Sequence, residues 1–184
     1  MTDHGASSYH RFLQGDPNAL EELVREYGDA LVRFAYCFLS DSYAAEDVME
    51  DTFAALIVKR KKFTERAKFK TYLFQIARNK CIDVLRARKR VVHLDENVAN
   101  VLSGADPEAD AALSQRNQIL YSCMQQLPES YREVLDLVYF EEFTITETAA
   151  TLHKSRKQVY NLLSRAKENL KEILKKAGID HENF

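Results

Sequence analysis

Hydrophobic residues recur along most of this chain at intervals of three and four, the spacing of one face of an α-helix. The pattern predicts a short helix near residues 8–13 that ends at Gly15. A second helix starts at Pro17, with Asp16 as its cap. A third helix spans about 43–61, and a fourth spans 69–90. The predicted core positions of the second and third helices are Leu20, Leu23, Val24, Tyr27, Leu31, Phe34, Phe38, Ala44, Val48, Phe53 and Leu56.

The helix at 69–90 carries two different faces. One stripe is apolar: Phe69, Leu73, Ile76, Ala77 and Val84. The opposite face mixes cations, amides and a few other side chains: Thr71, Gln75, Arg78, Asn79, Ile82, Arg86 and Lys89. Such a face can hold phosphates and touch bases. A solvated surface helix remains the alternative for this stretch taken alone.

The second half of the chain is also predicted to be helical. A helix at 115–126 is followed by one that starts after Leu127 and Pro128 and runs to about Phe140. Residues 144–152 then form a short helix, with Thr144 as cap and Glu147 completing a capping box. Ser155 caps a longer helix that reaches about Lys176. A short helix, a tight turn and a longer basic helix form a helix-turn-helix.

The last helix has a predicted inner and outer face. Val159, Leu162, Leu163, Ala166 and Leu170 face inward, while the outward residues are polar or aromatic: Arg156, Lys157, Tyr160, Asn161, Ser164 and Arg165. An ordinary helical hairpin is the alternative for this segment alone.

Residues 91–113 lack lysine and arginine and contain Ser103-Gly104 and Asp106-Pro107. This composition is typical of a flexible acidic linker. Because so long a structureless piece inside one compact domain is unusual, two domains are expected, at 1–90 and 114–184. The predicted fold class is all-α, with two small helical domains.

Composition narrows the class of protein further. Five glycines and three prolines in 184 residues argue against many short strands. Since there is neither a long apolar run nor an apolar signal core, a cytoplasmic protein without membrane insertion is expected. Cys37, Cys81 and Cys123 fit buried thiols better than disulfides or a zinc site. The scattered histidines indicate no metal site, and no cofactor is expected.

The net charge of −2 conceals strong segregation. Residues 1–58 carry three arginines against eleven acidic residues, whereas residues 59–90 have a net charge of +11 and residues 153–176 one of +6. Two basic segments separated by acidic ones suit a polyanionic partner. Phosphate contacts are expected from several of Arg78, Lys80, Arg86, Arg88, Lys89, Arg156 and Lys157.

Four segments, in order, resemble the extracytoplasmic-function (group 4) sigma factors of bacterial RNA polymerase. LEELVREYGDALVRFAY (20–36) resembles the opening helix of region 2, and AAEDVMEDTF (44–53) the polymerase-binding motif. FKTYLFQIARNKCIDVLRARKR (69–90) resembles the promoter-melting and −10-reading segment. LPESYREVLDLVYFEEFTITETAATL (127–152), followed by VYNLLSRAKENL (159–170), resembles region 4.

This resemblance implies an initiation factor with no enzyme activity, whose partners are core RNA polymerase and promoter DNA. Region 2 would dock on the clamp helices and open the −10 element, while region 4 would dock on the flap tip and read the −35 element. The resemblance leaves open whether an anti-sigma factor exists. It implies a polymerase-binding face of Asp47, Glu50, Asp51 and Phe53.

The resemblance also implies two DNA-binding sets. The −10 set combines a loop that captures an unstacked base with the helix after it: Thr64, Glu65, Arg66, Lys68, Tyr72, Gln75, Arg78, Asn79, Lys80 and Arg86. The −35 set lies on the last helix: Ser155, Arg156, Lys157, Tyr160, Asn161, Ser164 and Arg165. There, lysine suits guanine and asparagine suits adenine.

The chain departs from the family pattern at several positions. Tyr72 stands where tryptophan is usual, and His153-Lys154 replaces a glycine and an apolar residue in the turn. Thr148 and Thr151 stand where isoleucine is common, and Tyr160, Asn161 and Leu162 replace a Lys-Ser-Arg run. An unusual −35 preference is therefore expected.

Two other classes of protein compete with this interpretation. A stand-alone helix-turn-helix regulator would explain 127–176 but leaves the acidic motif and the first basic helix without a role. A carboxylate-metal enzyme built on the acidic third helix would need further ligands that the pattern does not provide.

Overall fold

The structure is a computed structural model that describes residues 3–59, 63, 67–94, 120 and 122–178. The described parts of the chain are helical and contain no strand. The chain divides into two compact units, Met1–Ser103 and Gly104–Phe184. The first contains α1 (His4–Leu13), α2 (Asn18–Leu39), α3 (Ser42–Lys59) and α4 (Phe69–Leu94). The second contains α5 (Glu129–Leu135), a π-helix (Asp136–Phe140), α6 (Ile145–Leu152) and α7 (Arg156–Lys176).

The first helix begins earlier than the sequence pattern predicts. It was expected over 8–13, but it starts at His4 because Asp3 caps it: one carboxylate oxygen accepts from the backbone N–H of Ala6 at 3.1 Å. The other oxygen accepts from the N–H of Phe69 at 2.7 Å. One carboxylate thus joins the starts of α1 and α4.

The core of the first unit is aromatic. Phe69 lies at its centre, with ring centroids 5.2 Å from Tyr9, 5.9 Å from Tyr27 and 5.7 Å from Phe63. Farther along, Phe34 packs against Phe74 at 5.1 Å. These rings bind α1, α2 and α4 into one core, and tilted or edge contacts of this kind add to the energy of burial.

Most predicted core positions of α2 are buried. Val24 is 38% exposed, so its predicted place in the core is wrong. On α4, Thr71 was expected on the polar face but is 1% exposed, so it belongs to the core. The helix itself continues to Leu94, four residues past its predicted end. The rest of the predicted linker, residues 95–113, lies outside the described residues.

The second unit contains the predicted helix-turn-helix. Thr144 caps α6 in a capping box with Glu147, as predicted, and Ser155 caps α7. His153 joins the two helices with φ 52° and ψ 43°, a left-handed conformation that histidine tolerates. The N–H of Lys154 donates to the carbonyl of Ala149 at 2.9 Å, which closes the turn.

Buried polar groups in α6 satisfy their hydrogen bonds within the helix. Thr148 and Thr151 are fully buried, and each hydroxyl donates at 3.0 Å to the carbonyl four residues earlier. Threonine therefore replaces an apolar side chain here without leaving an unpaired donor. All three cysteines are buried thiols outside any disulfide, as predicted.

Candidate polymerase-binding and DNA-binding surfaces

The acidic residues of α3 share an exposed face. Glu46, Asp47, Glu50 and Asp51 are exposed and stand at i,i+4 spacing, so their like charges repel one another. Phe53 is only 5% exposed and lies in the core, which corrects its assignment to the docking face. Two apolar side chains that the motif did not indicate flank the acids instead: Tyr43, 72% exposed, and Val58, 82% exposed.

The basic face of α4 is adjacent to the acidic face of α3. The ammonium of Lys80 lies 2.9 Å from a carboxylate oxygen of Asp51, which joins one predicted DNA-binding residue to one predicted polymerase-binding residue. Asn79 is exposed, and Gln75 and Arg78 are half-buried. Arg86 is exposed and lies 3.6 Å from Asp83.

Arg88, in contrast, has a structural role. Its guanidinium donates to Asp41 at 2.6 Å and to the carbonyl of Leu39 at 3.1 Å, and its side chain is 23% exposed. It therefore closes the end of α2 against α4. These contacts favour a structural role for Arg88, and the phosphate contacts expected from several cations of this helix are then left to the others.

Lys68 and Tyr72 stand where the predicted loop enters α4. Lys68 is exposed, whereas Tyr72 is half-buried, with its ring 5.6 Å from Phe63 and 6.2 Å from Phe69. Burial raises the pKa of the Tyr72 hydroxyl, so the ring is neutral at physiological pH. The other loop residues, Thr64, Glu65 and Arg66, lie outside the described residues.

A cleft of about 800 Å³ opens between α1 and the residues before α4. Its lining includes Ser7, His10, Phe63 and Lys68. Sequence reasoning did not assign α1 to this site, because its amphipathic pattern indicated only a packed helix. The cleft brings α1 to the base of the predicted base-capturing loop.

The predicted −35 set forms the outward face of α7. Ser155, Arg156, Lys157, Tyr160, Asn161, Ser164 and Arg165 are all exposed. The start of the helix is fixed on both sides, because the N–H of Ser155 donates to Oε1 of Gln158 at 2.8 Å and the N–H of Gln158 donates to the Ser155 hydroxyl at 3.2 Å. Gln158 was not part of the predicted set.

The second unit also contains an apolar groove that the sequence pattern did not predict. It holds about 430 Å³ and is lined by Leu120, Met124, Leu135, Tyr139, Phe140, Lys167, Leu170, Lys171 and Leu174. The π-helix explains its shape, because the wider turn leaves the consecutive residues Tyr139 and Phe140 50% and 36% exposed. Lys167 lies 5.1 Å above the ring of Tyr139.

The described residues contain neither a metal-ligand cluster nor a helix suited to crossing a membrane. No group of three or more histidine, cysteine, aspartate or glutamate side chains there could hold a metal ion. Among these same residues, no helix has the length and apolar character needed to cross a membrane.

Comparison with known proteins identifies a family for both halves of the chain. The family model of Sigma-70 region 2 matches residues 23–91, and that of Sigma-70, region 4 matches residues 117–170. The chain is 28% identical over 163 residues to the ECF RNA polymerase sigma factor SigM of Bacillus subtilis, covering 89% of this chain and 99% of SigM. It is also 28% identical over 172 residues to SigW of the same organism, covering 88% and 92%.

Solved structures give the same result. The sigma factor RpoE, in complex with the anti-sigma factor NepR from Bartonella quintana, matches with a TM-score of 0.73 and 26% identity over 84% of this chain and 96% of RpoE. CnrH, in complex with the cytosolic domain of CnrY, has the same fold, with a TM-score of 0.69 at 23% identity over 94% and 98% of the two chains. The chain therefore belongs to the extracytoplasmic-function sigma factors, which direct RNA polymerase to promoters.

Proposed function

We propose that this sigma factor docks on the polymerase through the exposed face of α3 and reads the −10 element through the adjacent face of α4. The observation that carries the proposal is the pairing of Asp51 with Lys80 at 2.9 Å. It shows that the acidic and basic surfaces meet in one compact unit. A stand-alone regulator needs no such arrangement, and the region 2 match over 23–91 accounts for this half of the chain.

The docking face of α3 combines charge with apolar contact. Asp47, Glu50 and Asp51 supply negative charge for a basic partner surface, while Tyr43 and Val58 supply apolar area at the edges. Apolar side chains exposed beside a charged stripe are typical of a protein-binding surface. Phe53 contributes from the core by fixing α3 in place.

We further propose that the apolar groove of the second unit receives the polymerase flap tip. Its leucines and exposed aromatic rings offer an apolar floor, and Lys167 and Lys171 stand among its lining residues. A groove with this chemistry fits the apolar face of a short helix that carries acidic residues at its margin. The outward face of α7 is then left to meet the −35 element.

The factor has no reaction of its own in this proposal; the polymerase supplies the chemistry, and both act in the cytoplasm. An anti-sigma factor is proposed as a further partner, because the structurally similar RpoE was solved with one. Isolation of the chain from its native cells, with identification of what accompanies it outside the polymerase fraction, tests this partner.

The decisive experiment is reconstitution with core RNA polymerase. The complex is expected to initiate at specific promoters that core polymerase alone ignores. Asp47→Lys and Asp51→Lys are expected to weaken the complex, whereas Asp29→Lys, an exposed acid of α2, is the matched control. If the α3 variants bound core polymerase normally, α3 would not be part of the interface.

The groove is tested separately. Tyr139→Ala and Phe140→Ala should weaken association with the polymerase through the second unit, because both rings line the groove. Tyr160→Ala, an exposed aromatic residue on the DNA-facing helix, is the control and should leave polymerase affinity unchanged. If all three variants bind equally well, the groove is not the docking site.

A further inference from the structure

A small concavity interrupts the otherwise polar surface at the start of α7. It holds about 260 Å³ and is lined by Lys154, Gln158, Asn161, Leu162 and Arg165. Four of these side chains are polar or charged. Leu162, which the sequence pattern placed in the core, is half-buried and forms the apolar part of the wall. A half-buried leucine that lines a surface concavity among cations and amides, on a helix proposed to face DNA, can contact an apolar group on the DNA.

Duplex DNA offers one such group in the major groove. Each base pair displays its hydrogen-bond donors and acceptors there, and thymine alone adds a methyl group, at C5. The thymine O4, an acceptor, lies beside that methyl on the same edge. A wall that recognises thymine therefore needs an apolar surface next to a hydrogen-bond donor.

Gln158 supplies the donor, because the capping box fixes which end of its amide is available. Its Oε1 accepts from the N–H of Ser155 at 2.8 Å. The accepting atom must be the oxygen, since the Ser155 N–H can only donate. The Nε2 amino group of Gln158 is therefore the end left to meet a base, and it suits an acceptor such as O4.

We propose that this concavity is a thymine-reading subsite of the upstream promoter element. The thymine methyl packs against Leu162, its O4 accepts from Nε2 of Gln158, and Lys154 and Arg165 contact flanking phosphates. Asn161 lies at the same wall and is positioned to read the adenine of a neighbouring base pair. Cytosine is rejected because it lacks the methyl and presents an N4 donor toward the Gln158 amino group.

The inference rests on the proposed function and is tested with the full chain bound to core polymerase. Once promoter selection has defined the upstream element, each thymine in it is replaced by deoxyuridine, which removes only the methyl. One position is expected to lose about fourfold in affinity, the value of one buried methyl group. In Leu162→Ala the thymine-to-uracil ratio at that position should fall to about one, while Leu162→Met should retain it.

This ratio compares two DNAs on the same protein, so a partly unfolded variant does not alter it. If no thymine of the upstream element depends on its methyl, or if the dependence survives in Leu162→Ala, the subsite is wrong and the concavity holds only phosphates. Promoter-specific initiation would persist in either case. Loss of initiation altogether would instead overturn the proposed function.

Gln158→Glu provides a second, directional test. Glutamate can keep the capping box, because it accepts from the N–H of Ser155 as glutamine does. It would present an acceptor instead of a donor to the base. Preference at the same position should therefore change from thymine to 5-methylcytosine, which retains the methyl and offers an N4 donor, by about tenfold. An unchanged preference for thymine would contradict the role of Gln158.

Discussion

Two glycines in the first unit show how a single missing side chain is used differently at two positions. A Cβ added to Gly5 would stand 2.5 Å from the Tyr27 hydroxyl oxygen and 2.7 Å from Cδ1 of Phe69. A Cβ added to Gly28, inside α2, would meet nothing closer than Val24 Cγ1 at 3.9 Å. The first glycine permits α1 to approach the aromatic core, while the second has no such packing role.

Gly5→Ala and Gly28→Ala should therefore have opposite effects on stability. Alanine at Gly28 should stabilise the unit by about 0.5–1 kcal/mol, because it favours the helix without a clash. Alanine at Gly5 should destabilise it, since the packed rings of Tyr27 and Phe69 must move. Thermal unfolding of the two variants measures this. A Gly5→Ala protein as stable as the natural chain would mean that α1 is not held against the core as described.

The raised pKa of the buried Tyr9 hydroxyl predicts a loss of stability at alkaline pH. The residue is fully buried, and burial, with a smaller contribution from Tyr72, raises the pKa of its hydroxyl from 10.0 to about 12. In the unfolded chain the hydroxyl ionises near pH 10, so the unfolded state loses its proton first. The contribution of Tyr9 to the free energy of unfolding is therefore fully present below pH 10 and is lost as the pH rises toward 12. Free energies of unfolding at pH 8 and pH 11 should show a smaller fall for Tyr9→Phe than for the natural chain; equal falls would contradict the assignment.

At the scale of helices, periodicity predicts which elements exist better than where each face ends. The capping box at Thr144 and the start of α7 at Ser155 were predictable because local chemistry defines them. Val24 and Leu162 were placed in the core because they are apolar and correctly spaced, yet both lie at the margin of their stripe. How far a neighbouring helix covers a stripe depends on tertiary packing, which the spacing does not contain.

The π-helix could not be predicted for a related reason. The N–H of Glu141 donates to the carbonyl of Asp136, five residues back, at 3.0 Å. Just past the π-helix, the N–H of Phe143 donates to the carbonyl of Leu137, six residues back, at 2.8 Å. No residue type signals this widened turn. The exposure of Tyr139 and Phe140, and the groove that they line, therefore could not be predicted from the sequence.

Substitutions at two cations of α4 should distinguish a structural role from a DNA-binding role. Arg88 ties α4 to the end of α2 through Asp41 and the carbonyl of Leu39, whereas the Lys80–Asp51 pair is more exposed. Arg88→Ala should cost about 1–3 kcal/mol of stability, because charged hydrogen bonds are lost from a part-buried site. Lys80→Ala should cost less than about 1 kcal/mol.

DNA binding should rank the same two variants in the reverse order. Lys80→Ala should weaken promoter binding by the polymerase complex, whereas folded Arg88→Ala protein should bind almost normally. The measurements are chemical denaturation of the free chain and promoter affinity of the complex. A larger stability loss for Lys80→Ala than for Arg88→Ala would reverse the assignment of roles.

Over the whole molecule, segregated charge predicts a strong dependence of promoter binding on salt. The basic segments 59–90 and 153–176 have net charges of +11 and +6, while the chain as a whole carries only −2. Each phosphate contact releases counterions and adds about −0.9 to the slope of log affinity against log salt concentration. Lys157→Ala should make the slope less steep by about 0.9, the value of one phosphate contact. Glu168→Gln, at an exposed position eleven residues later on α7, should not. A salt-independent complex would contradict the phosphate contacts.

The two units should also read different promoter elements, because their binding chemistry differs. The outward face of α7 presents exposed Lys157 and Asn161, which suit the edges of stacked base pairs in a major groove. The first unit presents exposed Asn79 on the same helix as half-buried Tyr72, whose ring packs on Phe63, and an amide and an aromatic ring suit an opened strand. Lys157→Ala and Asn161→Ala should therefore alter only the upstream preference, each by about 1–3 kcal/mol at its own base.

Changes in the first unit should have the complementary effect. Asn79→Ala, and substitutions at Thr64, Glu65 and Arg66, should alter only the downstream element and the step of DNA opening. A randomised-promoter selection with each variant, carried out with the full chain on core polymerase, reads both elements in one experiment. Permanganate reactivity of unpaired thymines then reports opening separately. If α7 variants changed the downstream sequence, or first-unit variants the upstream one, recognition would not divide between the two units, and one unit would have to influence the base contacts of the other.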